Sequence, residues 1–375
     1  MVYEDVVVLV PGFLGFSRIG GFYYFADRVS ATLRSSLEAR RRRRIPVVPT
    51  CALPTDRLAK RQEKLMQAVQ NICDRIPGVE RLHLMGHSAG GVDAQLLTCD
   101  RPLAKPRWTA EEQRLRAKIK SVVGLAAPHW GTCLADAPLA QLLADPAQVL
   151  AGDPSAQLRL IPSAARQVFD LARLVARDAS GGEIVPALLS HLGDSAKFLW
   201  EILGRRGLID DLRPRAMQAT RAHWARGPVL QRSFVSVVTN RQAGDPFFRD
   251  LSALTADVSL SPADAVINTA IAHLNERARA AIRSGPAVPA FDERANDGVV
   301  NSARQLVDPG DPDELAGIVV GDHADVLGHY DRQDMFVEGR PLNLGLFHSG
   351  AAFGDDQFYE LWGRVAEALS EAIPT

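Results

Sequence analysis

The chain has 375 residues, of which 46% are hydrophobic and 23% charged, an ordinary globular composition for one large domain with insertions or for two domains. The formal net charge is −1, which excludes the strong basic field that attracts nucleic acid. The four cysteines, Cys51, Cys73, Cys99 and Cys133, match no zinc-site spacing and no dense disulfide framework, so we expect reduced thiols.

The ends and the charge runs carry no targeting signal. The chain enters a strand-like run at Val6 without a basic segment and an apolar stretch before it, which predicts no signal peptide and a cytoplasmic location. No apolar run has the length needed to span a bilayer. Five consecutive arginines at 40–44 have no interleaved aromatic residues, and we interpret them as a solvated turn between a helix and a strand.

Strand-like and helix-like segments alternate along both ends of the chain. The first of them is a strand over 6–10, whose continuous β-branched run is typical of a strand buried on both faces. The further predicted elements are a helix over 25–40, an extended segment at 47–48, a helix over 57–76, a strand at 82–85, a helix over 92–97, strands over 119–126 and 233–239, a helix over 260–283, a strand at 315–320 and a helix over 357–372. This alternation predicts an α/β fold with a mostly parallel sheet and helices on both faces.

The middle of the chain has a different texture. Residues 134–231 are rich in Ala, Leu and Arg, with helical periodicity and no convincing strand. We interpret them as a helical cap or lid inserted between two core segments, 1–133 and 232–375. Apolar stretches at 139–150 and 184–203 fit either a mobile lid or ordinary packing within the cap.

A nucleophile motif follows the predicted strand at 82–85. Residues 86–90 read Gly-His-Ser-Ala-Gly, a G-x-S-x-G elbow in which the serine occupies a sharp strand-to-helix turn. Glycines are needed because any side chain on the flanking positions would crowd the turn. The bare motif also arises by chance in chains of this length, but the strand before it and the helix-compatible stretch after it supply the required context. The sequence therefore predicts Ser88 as a nucleophile.

A serine nucleophile needs a histidine base and a carboxylate, which follow it along the chain in hydrolases with this elbow. Of nine histidines, His323 lies directly after the strand at 315–320, and His329, further along the same loop, is the alternative. The candidate carboxylate is Asp297, in the sequence Asn-Asp-Gly, although the turn preference of these residues also explains them.

Two backbone N–H groups must face the charge that develops on the substrate oxygen. One is predicted from Ala89, the residue after the nucleophile, and the other from Phe13, in the loop after the first strand. That loop is apolar, with Phe13, Leu14 and Phe16, which suits an apolar acyl group.

Taken together, these motifs resemble the bacterial triacylglycerol lipases and carboxylesterases of the α/β-hydrolase superfamily. The resemblance rests on Val-Pro-Gly-Phe-Leu-Gly (10–15), Gly-His-Ser-Ala-Gly-Gly (86–91), Ala-Pro-His-Trp-Gly-Thr (127–132), Asn-Asp-Gly-Val-Val (296–300) and Asp-His-Ala-Asp (322–325), in the family's order. It implies Ser88, Asp297 and His323 as the triad, with Phe13 and Ala89 as oxyanion donors. The chain departs from many relatives at Pro11, where they carry His, and the resemblance does not cover the cap.

Some of these lipases hold a structural calcium ion, with a ligand two residues after the catalytic histidine. The resemblance implies Asp325 at that position, and Asp245 is a second candidate. Calcium takes six to eight oxygen ligands, more than the sequence supplies, so we expect no required cofactor. The alternative role of Asp325 is to orient the histidine loop.

The sequence thus predicts a serine hydrolase that cleaves carboxylic esters of apolar acyl chains through an acyl-enzyme. Its expected partners are small-molecule or lipid esters and a transient lipid interface, not nucleic acid. Because fold and triad do not fix the substrate, the same triad acting on an amide, thioester, lactone or polyester stays open. A catalytically inactive hydrolase-fold binding protein is a further alternative.

Overall fold

A computed structural model describes most of the chain outside the centre of the predicted cap. The described residues are 3–13, 18–19, 22–53, 55–137, 207–221, 224, 228–244, 246–258, 265–278, 281–282, 288, 290–330, 336–337, 340–341 and 349–374. Both predicted lid stretches, 139–150 and 184–203, lie outside these residues, as do Leu14, Phe16 and Asp245.

The described residues form a seven-stranded sheet in which every strand pair is parallel. Its strands are β1 (Asp5–Val10), β2 (Val47–Pro49), β3 (Arg81–His87), β4 (Ile119–Leu125), β5 (Leu230–Val237), β6 (Ala281–Ile282) and β7 (Leu315–Val320). The order across the sheet is β2-β1-β3-β4-β5-β7-β6. Two short antiparallel pairs lie apart from it, Arg18–Ile19 with Phe22–Tyr23 and Phe336–Val337 with Arg340–Pro341.

Helices connect the strands. They are α1 (Asp27–Arg41), α2 (Leu58–Arg75), α3 (Ala89–Leu96), α4 (Ala110–Ala117), α5 (Gly207–Asp211), α6 (Pro214–Arg221), α7 (Pro246–Thr255), α8 (Ala265–Arg277) and α9 (Asp355–Ser370). Within the described part of the chain, no helix is both long and apolar enough to cross a membrane.

Strand β1 is buried on both faces, which explains why residues 6–10 are continuously apolar. All six residues of β1 are buried, and alternate side chains point to opposite faces of the sheet. Val7 and Leu9 belong to one apolar cluster with α1 and α9, whereas Val8 and its neighbours on the other face pack with α2. A parallel sheet covered on both faces leaves no position for an alternating polar residue.

Two local predictions were incomplete. The helix predicted over 260–283 ends at Arg277, and the prediction was wrong for Ala281–Ile282, which form an edge strand paired with β7. Tertiary strand pairing overrides the weak local preference there. Helix α4 was not predicted, although the capping box of Thr109 and Glu112 marks its start.

The described residues on either side of 138–206 contact each other and the start of α2. The N–H of Thr132, just before the cap, donates to the carbonyl of Leu212 at 3.0 Å. Asp211 accepts a hydrogen bond from the N–H of Leu58, at the start of α2, at 2.8 Å. The described segments on either side of 138–206 therefore lie next to each other.

The arginine run at 40–44 fastens the end of α1 to neighbouring elements. Arg42 ends α1 in a left-handed conformation with φ of 52°. Arg43 forms an ion pair with Asp5 at 2.6 Å, and Arg41 donates to the carbonyl of Ser370 at the end of α9. These contacts fit a turn between a helix and a strand.

The strand order predicts where on the sheet a ligand would bind. From β1 the chain moves to β2 on one side and then to β3 on the other, so the carboxyl ends of β1 and β3 flank a topological switch point. Open parallel sheets bind ligands in the crevice at such a point.

Candidate active site

The turn after β3 has the geometry of a strained elbow. Ser88 has φ of 55° and ψ of −136°, an unusual conformation for a residue with a side chain. A Cβ atom on Gly86 would lie 2.3 Å from the carbonyl oxygen of Gly90, and one on Gly90 would lie 2.2 Å from that of Val10. Only glycines allow the strand, the serine and helix α3 to approach this closely.

The loop after β1 lies directly against this serine. A Cβ atom on Gly12 would be 2.6 Å from the Cβ of Ser88. Ala89, buried, is the first residue of α3, and Phe13 lies in the neighbouring loop. Within the described residues, neither the N–H of Phe13 nor that of Ala89 donates a hydrogen bond. The absence of such bonds in this part of the chain is what the predicted oxyanion donors require.

A buried ion pair holds the carbonyl side of this loop. Arg61, in α2, has no exposed surface and binds the carboxylate of Asp93, in α3, with Nε to Oδ1 at 3.1 Å and Nη2 to Oδ2 at 2.5 Å. The same Nη2 lies 3.3 Å from the carbonyl oxygen of Pro11 and 3.2 Å from that of Gly12. The sequence reasoning missed this pair, because a charged residue on an amphipathic helix is indistinguishable from a solvated one.

The predicted base and carboxylate meet at the same edge of the sheet. His323 Nδ1 lies 2.8 Å from Asp297 Oδ2, and the His323 N–H donates to the Asp297 carbonyl at 3.1 Å. Asp297 is fully buried, whereas the His323 side chain is 10% exposed. A buried carboxylate on Nδ1 fixes the imidazole tautomer and leaves Nε2 for proton transfer.

The second oxygen and the remaining lone pairs of Asp297 are also satisfied. Its Oδ1 accepts from the N–H groups of Val299 at 3.0 Å and Val300 at 2.7 Å. Its Oδ2 accepts from Ser236 Oγ at 2.5 Å and from Gln305 Nε2 at 3.3 Å. Neither Ser236 nor Gln305 was predicted from the sequence, because each reaches Asp297 from a separate segment of the chain.

The Ala-Pro-His-Trp-Gly-Thr segment supports the turn that carries Asp297. Thr132 Oγ1 donates to the carbonyl of Val299 at 2.6 Å, and the N–H of Cys133 donates to Asn301 Oδ1 at 3.1 Å. The N–H of Trp130 donates to the carbonyl of Arg304 at 3.1 Å. This segment therefore contributes structure around the carboxylate.

The residue before the nucleophile links it to the base. The ring centroids of His87 and His323 are 4.6 Å apart, with the planes tilted by 50°. Burial, and next the nearby His323, hold the pKa of His87 well below its ordinary value, so His87 is neutral. His329, the alternative base, instead places Nε2 3.0 Å from the carbonyl of Tyr24.

The carboxylates of Asp322 and Asp325 accept hydrogen bonds from the backbone of their own loop. Its Oδ2 accepts the N–H of Asp322 at 2.8 Å, and Asp322 Oδ1 accepts the N–H groups of Ala324 and Asp325 at 2.8 and 2.9 Å. Burial, followed by the neighbouring Asp322 carboxyl, raises the pKa of Asp325 well above its ordinary value. In the described part of the chain, no cluster of three or more His, Cys, Asp or Glu side chains could hold a metal.

Comparison with known proteins identifies the fold. No protein-family model matches the chain, and no curated protein matches it in sequence. Among solved structures, EstA from Clostridium botulinum is 17% identical, with a TM-score of 0.52 over 98% of this chain and 88% of that one. The metagenomic carboxyl esterase MGS0156 is 14% identical, with a TM-score of 0.50 over 99% of this chain and 77% of that one. The predicted α/β-hydrolase fold is confirmed.

Proposed function

We propose that this protein is a serine hydrolase of carboxylic esters with Ser88 as its nucleophile. The observation that carries the proposal is the strained Ser88 at the switch point. The ring of the preceding residue, His87, lies 4.6 Å from that of His323, which is paired with the fully buried Asp297. The esterase folds to which the chain is similar add support. An intact nucleophile, base and carboxylate argue against an inactive binding protein.

Each residue has one role in the proposed reaction. The Oγ of Ser88 attacks the ester carbonyl carbon while His323 Nε2 takes its proton, and Asp297 stabilises the imidazolium through Nδ1. The tetrahedral oxyanion accepts hydrogen bonds from the N–H groups of Phe13 and Ala89. His323 then protonates the leaving alcohol, which leaves an acyl group on Ser88. Water, deprotonated by His323, attacks the carbonyl carbon of this acyl-enzyme. The bond to Ser88 Oγ then breaks as His323 returns the proton to Oγ, which releases the carboxylic acid and restores the enzyme.

The half-buried side chain of Phe13 offers an apolar surface near the proposed nucleophile, which favours an apolar acyl chain. Phe13 packs against a buried cluster that contains Ala89, Val92 and Leu96 of helix α3 and Leu208 of the returning cap segment. Burying one methylene of an acyl chain contributes about 0.8 kcal/mol, so such a surface favours longer chains until it is filled.

Hydrolysis of p-nitrophenyl esters from acetyl to palmitoyl tests the proposal. We expect Ser88→Ala to lower kcat/KM by about 10⁴-fold or more without changing the unfolding temperature. His323→Ala should act similarly, whereas His329→Ala, on the same loop, is the matched control and should keep most activity. Full esterase activity in Ser88→Ala would refute the proposal.

Two further outcomes narrow the function. A wild-type protein that hydrolyses no ester but reacts with a fluorophosphonate would indicate an amide, thioester, lactone or polyester as substrate. A folded protein that does neither would be an inactive hydrolase fold. We also propose that catalysis requires no metal, so that EDTA leaves kcat/KM unchanged; loss restored by calcium would contradict this.

A further inference from the structure

Tyr24 lies behind the elbow and the loop after β1, of which residues 11–13 are described and which is called the oxyanion loop below. It precedes helix α1, is 7% exposed, and its hydroxyl lies 2.7 Å from His87 Nδ1. The same hydroxyl interacts with the backbone N–H of Gly12, and a Cβ atom on Gly12 would lie 2.5 Å from it. One hydroxyl therefore contacts both the loop that precedes Phe13 and the residue that precedes Ser88.

The chemistry of these groups sets the direction of the hydrogen bonds. Burial raises the pKa of Tyr24, so its phenol stays protonated and has one hydrogen to donate. Its oxygen accepts from the N–H of Gly12, and its hydrogen points to Nδ1 of the neutral His87. This assigns the remaining hydrogen of His87 to Nε2.

His87 carries the contact on to the catalytic histidine. Its ring lies 4.6 Å from the ring of His323, between centroids. Within the described residues, the buried Nε2 of His87 makes no hydrogen bond of normal geometry. The His323 backbone nevertheless lies near enough to favour the protonated form of the His87 ring. The ring thus fills the space between the elbow and the base.

We propose that Tyr24 and His87 are a positioning pair that sets the oxyanion loop and His323 relative to Ser88. The inference rests on the proposed ester hydrolysis. Tyr24 holds the N–H side of Gly12 while Arg61 holds its carbonyl side, so the adjoining Phe13 N–H is oriented from both directions. The pair touches no substrate and acts through the groups that do.

Its effect falls on the transition state. The Phe13 N–H contacts the oxygen most strongly once that oxygen is negatively charged, so a misplaced loop slows the chemical step more than it weakens substrate binding. A displacement of about 1 Å costs about 100-fold in rate. A merely structural tyrosine would change the unfolding temperature and leave the kinetics of the folded enzyme unchanged.

The test compares Tyr24→Phe with Tyr330→Phe. The Tyr330→Phe substitution also removes a hydroxyl hydrogen bond, but that bond is made to Asp355 on the exposed surface. We expect Tyr24→Phe to lower kcat by about 10- to 100-fold with KM within about twofold, and to weaken inhibition by an alkyl boronic acid by the same factor. Tyr330→Phe should leave all three quantities unchanged.

A second variant keeps the proposal testable if Tyr24→Phe does not fold. His87→Asn keeps an acceptor close to the position of Nδ1 but removes the ring beside His323, and we expect it to lower kcat by a similar factor. In the double variant Tyr24→Phe/His87→Asn, the fold-decrease in kcat should be smaller than the product of the two single decreases, because both residues act on one network. Wild-type kcat and boronic acid affinity in either folded variant would overturn the proposal.

The outcome also separates this inference from the proposed function. If wild-type protein hydrolyses esters and labels with a fluorophosphonate while Tyr24→Phe behaves identically, only the positioning role fails. If the wild-type protein does neither, the proposed function fails, and the positioning role falls with it.

Discussion

Two Ser–His–Asp arrangements lie at opposite ends of the same sheet. At the carboxyl end of the strands are Ser88, His323 and Asp297. Toward the amino end, His83 places Nδ1 2.9 Å from Ser121 Oγ and Nε2 3.0 Å from Asp5 Oδ1. The second arrangement, the buried relay Ser121–His83–Asp5, has a continuous chain of hydrogen bonds between its three side chains.

The buried relay nevertheless lacks what a hydrolase needs. Ser121 and His83 have no exposed surface, and Ser121 lies inside the extended strand β4 and not in a turn. Burial lowers the pKa of His83 despite its carboxylate partner. Asp5 is shared with Arg81, which binds both of its oxygens at 2.8 and 2.9 Å. The relay therefore fills the sheet interior with satisfied polar groups.

The difference shows that residue types alone do not identify a site. Ser88 is distinguished by its positive φ and by its place at the switch point. It also lies near the N–H groups of Phe13 and Ala89, which donate no hydrogen bond to any of the residues that the structure describes. None of these is a property of the three side chains. If the two arrangements differ in function as they differ in position, substitutions at the carboxyl end should lower activity, and substitutions in the buried relay should lower stability.

The largest expected contrast is between the two carboxylates. Asp297→Asn should lower kcat/KM by about 10⁴-fold with little change in fold, because an amide donates to Nδ1 and favours the wrong tautomer. Asp5→Asn should lower the unfolding temperature and leave kcat/KM of the folded protein unchanged. Steady-state kinetics and thermal melts of both variants check this; equal kinetic losses would erase the distinction.

The buried ion pair beneath the oxyanion loop gives the next effect. Arg61→Met leaves the carboxylate of Asp93 buried without its partner, which we expect to cost about 3–5 kcal/mol in the free energy of unfolding. Arg57→Met is the matched control, because the Arg57 side chain is 62% exposed in its pair with Asp211 and should matter by less than about 1 kcal/mol. Urea unfolding measures both; equal costs would contradict the assignment.

Removing the serine of the buried relay should affect stability alone. Ser121→Ala leaves His83 Nδ1 buried without a partner, at a cost of about 1–3 kcal/mol in the free energy of unfolding. Its kcat/KM on a p-nitrophenyl ester should equal that of the wild type. A loss of activity beyond the unfolded fraction would show that the relay communicates with the site.

The histidine of the relay should add a smaller, pH-dependent effect. Since burial holds the pKa of His83 below that of an unfolded histidine, the unfolded chain takes up the proton first on acidification. The contribution of His83 to stability is complete above about pH 6.5 and is lost as the pH falls below that value, by at most about 1.4 kcal/mol per pH unit. Relative to His83→Gln, wild-type stability should therefore decline between pH 6.5 and 5. A constant difference would contradict a neutral buried His83.

The parts of the site that have a local sequence signal could be predicted. The elbow is contiguous, the parallel sheet follows from apolar runs, and the strand at 315–320 was predicted with its observed bounds. His323 and Asp297 followed from chain order, and the structure brings them together. The catalytic roles of these residues stay predictions.

The supporting residues could not be predicted, because their partners are distant in the chain. Arg61 meets Asp93 and the loop at Pro11, and Tyr24 meets His87, only after the sheet has formed. Ser236 and Gln305 reach Asp297 from separate segments. Single side chains on a helix, strand or turn give no periodic signal of such contacts.

Mapping the site of covalent modification tests the central claim most directly. The folded wild-type protein is treated with a fluorophosphonate, digested, and the adduct located by mass spectrometry. We predict one adduct, on Ser88, which is absent in Ser88→Ala and retained in Ser121→Ala. An adduct on another serine, or none on a folded protein, would contradict Ser88 as an activated nucleophile.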